Sequence, residues 1–231
     1  MIKQKLTKGG INALTAPFRW IIVTGIVYFL SAGALNITRV WLYIAIYIFG
    51  SALIGILLMR KSISLLNDRG EIKEGTKSTD KIIITLYFVF AIIITPLVAG
   101  FDCRYNNQFL PFYFFYIGVL FYLLSAVFST WPMLYNPFFE GTVRIQKDKN
   151  HKVVKSGPYK IIRHPGYLGM FLGSFPIPFA FGSKLSFYPV GIMLVLVIIR
   201  TYYEDKILRK ELSGYIEYCE EVKYRLLPFI W

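Results

Sequence analysis

The stretch Ile82–Gly100 reads IIITLYFVFAIIITPLVAG and decides the class of fold, because none of its side chains is charged. A helix of this length is roughly 28 Å long, close to the thickness of the hydrocarbon core of a bilayer. The whole chain of 231 residues is similar in character, with 55% hydrophobic and 17% charged residues. Soluble domains carry about 25% charged residues. The composition excludes a disordered chain and favours an integral membrane protein.

Five other apolar segments flank this stretch along the chain. Three of them are about as long as Ile82–Gly100 and have no charge in their interiors: Phe18–Leu35, Val40–Met59 and Pro111–Leu134. Two more, Tyr167–Gly182 and Leu185–Tyr203, follow a polar stretch. The pattern predicts an all-α integral membrane protein with about six transmembrane helices, a C-terminal helical hairpin and a cytoplasmic helical tail.

The fifth segment differs from the others because it is short and contains Pro176 and Pro178. Proline removes a backbone donor and bends or breaks a helix. We therefore expect either a kinked helix or one that spans incompletely, joined to the sixth by a tight turn at residues 182–184.

Residues 1–135 are expected to form an N-terminal bundle and residues 136–231 a cofactor-binding catalytic region, within a single structural unit.

The basic residues predict the orientation of the chain. In a six-span arrangement with both termini in the cytosol, only Arg39, Arg104 and Lys184 of the 26 Lys and Arg residues lie outside. This distribution follows the positive-inside rule and accounts for the net charge of +13 without a nucleic-acid partner. We expect a multi-pass protein of a prokaryotic plasma membrane, with the lipid bilayer as its partner.

Two alternatives concern the start of the chain and the cysteines. Residues 32–34 (Ala-Gly-Ala) resemble a signal-peptide cleavage site after a basic start and an apolar run, but we expect the segment to be retained. Cys103 and Cys219 are predicted on opposite sides of the membrane, so a disulfide between them is not expected. With only His151 and His164 as further soft ligands, no metal site is expected.

Polar motifs cluster where the last two spans meet the cytosol. Residues 154–169 read VKSGPYKIIRHPGYLG and lead directly into span five. Gly157-Pro158 predicts a tight turn with free backbone amides, and Pro165 is typical of the first turn of a helix. Arg163 and His164 then lie beside the positive end of that helix.

Span six ends in a second polar group. Arg200 and Glu204 are four residues apart and share a helix face. Because the hairpin returns the chain, Arg163 and His164 are expected to meet Glu204 and Asp205 at one membrane boundary. Such a pocket suits a zwitterionic ligand. The alternative is structural: the basic residues mark the boundary, and the acids pair with Arg200 and Arg209.

From residue 153 onward the motifs resemble the isoprenylcysteine carboxyl methyltransferase family. They are Gly157-Pro158-Tyr159, Arg163-His164-Pro165-x-Tyr167-x-Gly169, Glu204-Asp205, and Tyr215, Tyr218 and Arg225-x-x-Pro228 in the tail. The resemblance implies an integral membrane methyltransferase that uses S-adenosylmethionine. It implies catalytic roles for Glu204 and Arg225. It implies cofactor contacts from Gly157, Pro158, Tyr159, Arg163, His164, Pro165, Tyr167, Gly169, Glu204, Asp205, Tyr215 and Tyr218.

The resemblance also implies an amphiphilic acceptor, either lipid-like or prenylated, that is methylated on a carboxylate, an amine or a thiol. Two departures bear on this expectation. Asp205 stands where the family usually has a second Glu, and Cys219-Glu220-Glu221 stands where eukaryotic members carry a basic residue. These tail acids favour a cationic or neutral head group over a prenylated protein terminus. Arg225 is the candidate for the missing positive charge.

Two rival functions come from other classes of protein. A transporter or channel predicts charged residues inside the spans, and the interiors of the first four spans have none. A membrane scaffold without catalytic activity would keep the hairpin for folding alone, and the sequence leaves this alternative open.

Overall fold

The computed structural model describes residues 5–71, 73–106 and 109–231. Lys3, one of the residues in the charge argument, lies outside them. The α-helices are α1 Lys8–Ala32, α2 Thr38–Lys61, α3 Ile63–Arg69, α4 Ser78–Val89, α5 Thr95–Asn106, α6 Tyr113–Tyr135, α7 Pro165–Gly173, α8 Phe187–Glu211 and α9 Tyr215–Glu221. Two π-helical segments, Phe90–Ile94 and Pro178–Gly182, and two 3-10 turns, Lys147–Lys149 and Gly157–Lys160, complete the elements of the described residues. The all-α prediction is confirmed.

Five helices are long and apolar enough to cross a membrane. They are α1, α2, the continuous helix Ser78–Asn106 formed by α4 and α5, α6, and α8. Many of their large apolar side chains are exposed, as expected for helices that face lipid: Leu30 is 75% exposed and Tyr188 is 77% exposed. The chain is therefore a multi-pass membrane protein.

The long helix Ser78–Asn106 contains a π-helical turn in its middle. Pro96 has no amide hydrogen, so the carbonyl of Ile92 loses its helical partner. The amide of Thr95 instead bonds to the carbonyl of Phe90, five residues earlier. The hydroxyl of Thr24 in α1 donates to the freed Ile92 carbonyl at 3.5 Å. The bulge thus joins α1 to this helix, and it widens the bundle locally.

The fifth segment is a broken helix. α7 ends at Gly173, and the chain resumes as the π-helical turn Pro178–Gly182. Its start lies beside the C-terminal tail, since the amide of His164 donates to the carbonyl of Arg225 at 2.9 Å. Its other end meets the α5–α6 loop, where the amide of Leu110 donates to Gly182 at 2.8 Å. The segment therefore runs between two opposite ends of the bundle, here called the tail end (residues 222–231) and the Arg39 end.

Close packing of α7 on α6 depends on a residue without a side chain. A Cβ atom at Gly169 would lie 2.4 Å from the Ser129 hydroxyl and 2.7 Å from the Ser129 amide. The backbones approach so closely that the Ser125 hydroxyl of α6 donates to the carbonyl of Gly169 at 2.8 Å. Gly169 thus serves helix packing, as small residues do in membrane bundles.

At the Arg39 end, one guanidinium binds the last turn of the fifth segment. Arg39 is 7% exposed and donates to the carbonyls of Phe179 (2.9 Å), Ala180 (2.7 Å) and Leu110 (2.8 Å). Gly182 has φ +80°, and a Cβ atom there would lie 2.1 Å from Arg39 Nη1. Backbone groups freed at membrane depth need such partners.

We expect Arg39→Leu to lower the free energy of unfolding by about 2–4 kcal/mol, because three buried or part-buried carbonyls lose a charged donor. The measurement is unfolding of the purified protein in mixed micelles with increasing SDS. Arg104→Leu is the matched control, because Arg104 is an exposed arginine in the last turn of α5. Equal stability of the two variants would contradict a role for Arg39 in holding the end of the fifth segment.

Candidate functional site

Arg163 anchors the C-terminal tail to the start of α7. Its amide donates to the carbonyl of Tyr224 at 3.0 Å. Its Nη1 donates to the carbonyls of Val222 (2.7 Å) and Lys223 (2.9 Å), and its Nε to Asp205 Oδ1 (2.9 Å). Its side chain is only 2% exposed, and its Nε and Nη1 atoms are bound within the protein. It positions the tail over the end of α8.

Asp205 is the centre of a buried charge cluster at the tail end. Its carboxylate is 2% exposed and accepts from the Nε atoms of Arg163 (2.9 Å), Arg209 (3.0 Å) and Arg225 (3.1 Å). The Tyr215 hydroxyl donates to it at 3.1 Å, and His164 Nε2 lies 3.4 Å away. One carboxylate therefore joins α7, α8, α9 and the tail.

Glu204, the neighbour of Asp205, faces a different environment. Among the described residues, its carboxylate accepts one hydrogen bond, from the hydroxyl of Tyr167, and forms no ion pair. Adjacent residues on a helix point about 100° apart. Asp205 is consequently covered by the tail, while Glu204 lines a cavity.

That cavity has a volume of about 960 Å³ and reaches from the tail end deep into the bundle. Tyr159, Tyr167 and Glu204 line its polar end, and Tyr43 and Tyr122 line its membrane end. The volume lies near the top of the range usual for small-molecule sites. One space therefore connects polar groups at the tail end with apolar walls inside the bundle.

Arg200 lies beside the polar end of the cavity. Its hydrogen-bond partners differ from the one that the sequence suggested. The sequence suggested pairing with Glu204, but Arg200 donates to Asp80 through Nε (2.7 Å) and Nη2 (3.1 Å). Its Nη2 also donates to the carbonyl of Gly141 at 2.9 Å. The guanidinium lies 4.8 Å from the ring centroid of Tyr167. Arg200 thus holds Tyr167 in place and leaves Glu204 free.

Three tyrosines outside the membrane-spanning helices form the wall beside Glu204. Burial raises the pKa of Tyr159, Tyr215 and Tyr218 well above the usual value, so their hydroxyls stay protonated. The Tyr218 hydroxyl donates to the carbonyl of Tyr159 at 2.6 Å, and Asn136 Nδ2 donates to the Tyr159 hydroxyl at 3.0 Å. The wall is uncharged and rigid.

Most of the residues singled out from the sequence come together at this cavity, and four do not. Those that line it are Tyr159, Arg163, His164, Pro165, Tyr167, Gly169, Glu204, Tyr215 and Tyr218. Gly157, Pro158, Asp205 and Arg225 lie behind the wall and are not among the lining residues. Gly157 has φ +59°, and a Cβ atom there would lie 2.6 Å from the ring of Tyr135. Its role in the fold is a turn against α6.

The tail acids also face away from the cavity. Glu217, Glu220 and Glu221 are exposed, and Glu221 accepts from Lys155 Nζ at 2.6 Å. Arg225 is held by Asp205 and lies 5.2 Å from the ring centroid of Trp231. None of these residues lines the cavity, and the expectation about the head group of the acceptor stays a prediction.

Sequence reasoning missed two polar groups of the cavity. Gln146 Oε1 is buried and has no hydrogen-bond partner in the described part of the chain, although Gln146 Nε2 donates to the carbonyl of Phe138 at 2.6 Å. Arg69 Nη1 is likewise buried without a partner, and the guanidinium lies 5.0 Å from the ring centroid of Phe139. Burial and the nearby charge of Arg200 lower the pKa of Arg69 to about 10. Neither residue belongs to a motif that the sequence analysis used.

Residues 119–210 match the model of the Isoprenylcysteine carboxyl methyltransferase (ICMT) family. This stretch runs from α6 through the fifth segment to the end of α8, and it includes the polar end of the cavity from Gln146 to Glu204. Over these residues the chain is similar to the ICMT family. The ICMT resemblance that the motifs indicated is confirmed.

Two curated relatives match parts of this chain. A Protein-S-isoprenylcysteine O-methyltransferase of Saccharomyces cerevisiae is 30% identical over 100 residues, which cover 40% of this chain and 39% of the relative. The Delta(14)-sterol reductase erg24 of Schizosaccharomyces pombe is 30% identical over 90 residues, which cover 38% of this chain and 21% of the relative. The chain thus spans about a fifth to two fifths of the length of these relatives.

We expect Asp205→Asn to destabilise the protein by about 3 kcal/mol or more, because a buried arginine is left without its carboxylate. Glu211→Gln is the control, because Glu211 forms an exposed pair with Lys77 and surface pairs contribute little. Thiol labelling of buried Cys219, in a Cys103→Ser background, reports whether the tail opens. Unchanged labelling and stability in Asp205→Asn would contradict its role as the centre of the cluster.

Proposed function

We propose that this chain is a membrane-embedded methyltransferase that uses S-adenosylmethionine and acts on an amphiphilic acceptor. The acceptor is lipid-like or prenylated and offers a carboxylate, an amine or a thiol. The observation that carries the proposal is the position of Glu204. Its carboxylate lies in the family-matched region, lines the cavity, and has a single tyrosine as its partner among the described residues.

The cavity fits a cofactor with an amine, a carboxylate and an adenosine part. Glu204 offers an anionic acceptor for the amine, and Gln146 Oε1 is a buried acceptor without a partner. The hydroxyls of Tyr159, Tyr167 and Tyr215 surround the same space. A volume of about 960 Å³ leaves room for a second molecule beside a cofactor.

When bound, S-adenosylmethionine supplies a methyl group on a positively charged sulfur, and its leaving group is a neutral thioether. The residues of this chain consequently have little proton transfer to perform, and their contribution is to position two ligands in line. Glu204 fixes one end of the site, because Tyr167 and the Asp80–Arg200 pair hold it in place. The buried tyrosine wall excludes water from the polar end.

The membrane half of the cavity suits the apolar part of an acceptor. Its lining includes residues of α1 and α4, where the rings of Trp20 and Phe88 lie 4.5 Å apart. Both side chains line the cavity at the flank of the bundle, which is the side from which a bilayer molecule would enter. An amphiphile entering there would keep its tail among apolar walls and bring its head group towards Glu204.

The sterol reductase relative raises a second candidate function. A reductase needs an electron donor, such as a reduced nicotinamide, in place of a methyl donor. Ligand binding separates the two functions. Binding of S-adenosylmethionine by the purified protein supports the methyltransferase, binding of the reduced nicotinamide alone supports a reductase, and binding of neither supports a scaffold.

We expect Glu204→Gln to weaken binding of S-adenosylmethionine by about 1.5–3 kcal/mol, which is the contribution of one charge-assisted hydrogen bond. Isothermal titration calorimetry of the protein in nanodiscs measures it. Glu217→Gln is the control, because Glu217 is exposed on α9 away from the cavity. A folded Glu204→Gln variant with unchanged affinity would remove Glu204 from the site.

We also propose that the tail end faces the cytosol, with both termini inside, in the plasma membrane of a prokaryote. The basic residues of the 60–81 and 136–166 segments support it, because positive loops are retained in the cytosol.

Single cysteines placed in each loop of a Cys103→Ser, Cys219→Ala background should show the orientation. A membrane-impermeant maleimide should label loop 33–37 in intact cells, and it should label segment 136–166 only after the membrane is opened. Labelling of segment 136–166 in intact cells would reverse the orientation.

A further inference from the structure

Arg69 lies outside the family-matched region and carries a positive charge at the polar end of the cavity. It is the last residue of α3 and lines the same space as Glu204. Within residues 5–71, 73–106 and 109–231, its guanidinium donates no hydrogen bond and forms no ion pair. A buried guanidinium without an acid is costly, and such groups are usually paired or functional.

Most acids close to α3 are bound by other cations, and Glu71, which also lines the cavity, forms no ion pair with Arg69 among the described residues. Glu140 accepts from Arg144 Nε at 2.7 Å and from Arg144 Nη2 at 2.8 Å, and its Oε1 lies 3.5 Å from Lys73 Nζ. Asp80 is bound by Arg200 through two hydrogen bonds. Arg69 therefore remains available to an anion from outside the chain.

The helix that carries Arg69 is fixed in place. Leu65 and Leu66 are buried, and Asn67 joins α3 to the start of the chain: its Oδ1 accepts from the amide of Thr7 at 2.9 Å, and its Nδ2 donates to the carbonyl of Lys5 at 3.1 Å. The hydroxyl of Ser62 caps the N-terminus of α3 through the amide of Leu65 at 3.2 Å. The guanidinium is thus presented on a rigid support and not on a free loop.

A short chain of contacts joins Arg69 to Glu204 along the wall of the cavity. The Arg69 guanidinium lies 5.0 Å from the ring centroid of Phe139, and a Cβ atom at Gly166 would lie 2.6 Å from the same ring. The next residue, Tyr167, donates its hydroxyl to Glu204. Arg200, one helical turn before Glu204, lowers the pKa of Arg69. The polar end of the cavity therefore presents one carboxylate and one guanidinium, both short of partners, to the same space.

We propose that Arg69 binds the carboxylate of the methionine end of S-adenosylmethionine, while Glu204 binds its amine. This inference rests on the proposed function. It assigns the positive group of the zwitterion pocket to Arg69 in place of Arg163 and His164, because Nε and Nη1 of Arg163 and Nε2 of His164 already face partners within the protein. It also gives the N-terminal half of the chain a contact with the cofactor.

The test compares two ligands that differ only at the methionine end. S-adenosylhomocysteine carries the amine and the carboxylate, and 5′-methylthioadenosine lacks both. We expect Arg69→Gln to weaken binding of S-adenosylhomocysteine on the order of tenfold or more in calorimetry, and to leave 5′-methylthioadenosine unchanged. Arg69→Lys should lose less, since the charge remains without the planar fork.

Arg60→Gln is the matched control, because Arg60 is an exposed arginine at the end of α2. Thermal unfolding of each variant checks that the fold survives. Equal loss of both ligands in Arg69→Gln, or no loss of S-adenosylhomocysteine, would overturn the proposal. Failure of the unaltered protein to bind either ligand would instead overturn the proposed function.

An anionic acceptor is the other possible source of the carboxylate. Fluorescent cis-parinaric acid and its methyl ester test this source directly, because they differ only in the charged group. If Arg69→Gln weakened binding of the acid alone and left S-adenosylhomocysteine unchanged, Arg69 would belong to the acceptor and its assignment to the cofactor would be wrong.

Discussion

The buried carboxylate of Asp205 is the interaction on which the tail end of the molecule depends. It accepts from Arg163, Arg209 and Arg225, which come from three separate parts of the chain. A buried carboxylate is stable only when its charge and its lone pairs are both satisfied, and here five groups surround it. Because the cluster holds the tail over α8, the tyrosines of α9 can form a wall of the cavity.

At the Arg39 end of the bundle, an arginine binds backbone carbonyls instead of a carboxylate. The carbonyls of the last turn of the fifth segment have no helical partner, and lipid cannot satisfy them. Arg39 donates to those of Phe179 and Ala180, while Asp102 binds the following turn by accepting from the Ser183 hydroxyl (2.7 Å) and the Leu185 amide (3.1 Å). The end of the fifth segment is therefore held at the Arg39 end, and the tail cluster fixes its start beside the cavity.

Local sequence patterns were sufficient to predict the spans, but they were not sufficient to predict the ion pairs. Apolar length predicted the helices, and Pro176 and Pro178 predicted the broken segment, because both signals act within a few residues. The pairing of Arg200 with Asp80 joins residues 120 positions apart, and no periodicity encodes such a contact. The sequence accordingly suggested Glu204 as the partner of Arg200, since it was the nearest acid on the same helix face.

Arg69 illustrates the same limit for the candidate site. In the sequence it is one basic residue of a basic loop, and the positive-inside rule explains it completely. Only the packing of α3 beside the cavity distinguishes it from exposed neighbours such as Arg60 and Lys61. The motifs predicted the polar end of the site because they are close together in the chain, whereas the part contributed by α3 depends on the tertiary fold.

Asp205 stands where the resembled family usually has a second Glu. This departure is consistent with different roles for the two adjacent acids, Glu204 and Asp205. A structural acid in a crowded cluster gains from a short side chain, because fewer rotatable bonds are immobilised and the carboxylate stays close to the helix. All partners of Asp205 lie within 3.4 Å, so the short side chain reaches each of them. Glu204 projects further from the helix into the cavity. With the cations of the tail bound to Asp205, Glu204 remains without an ion pair among the described residues, which is the state a ligand-binding carboxylate requires.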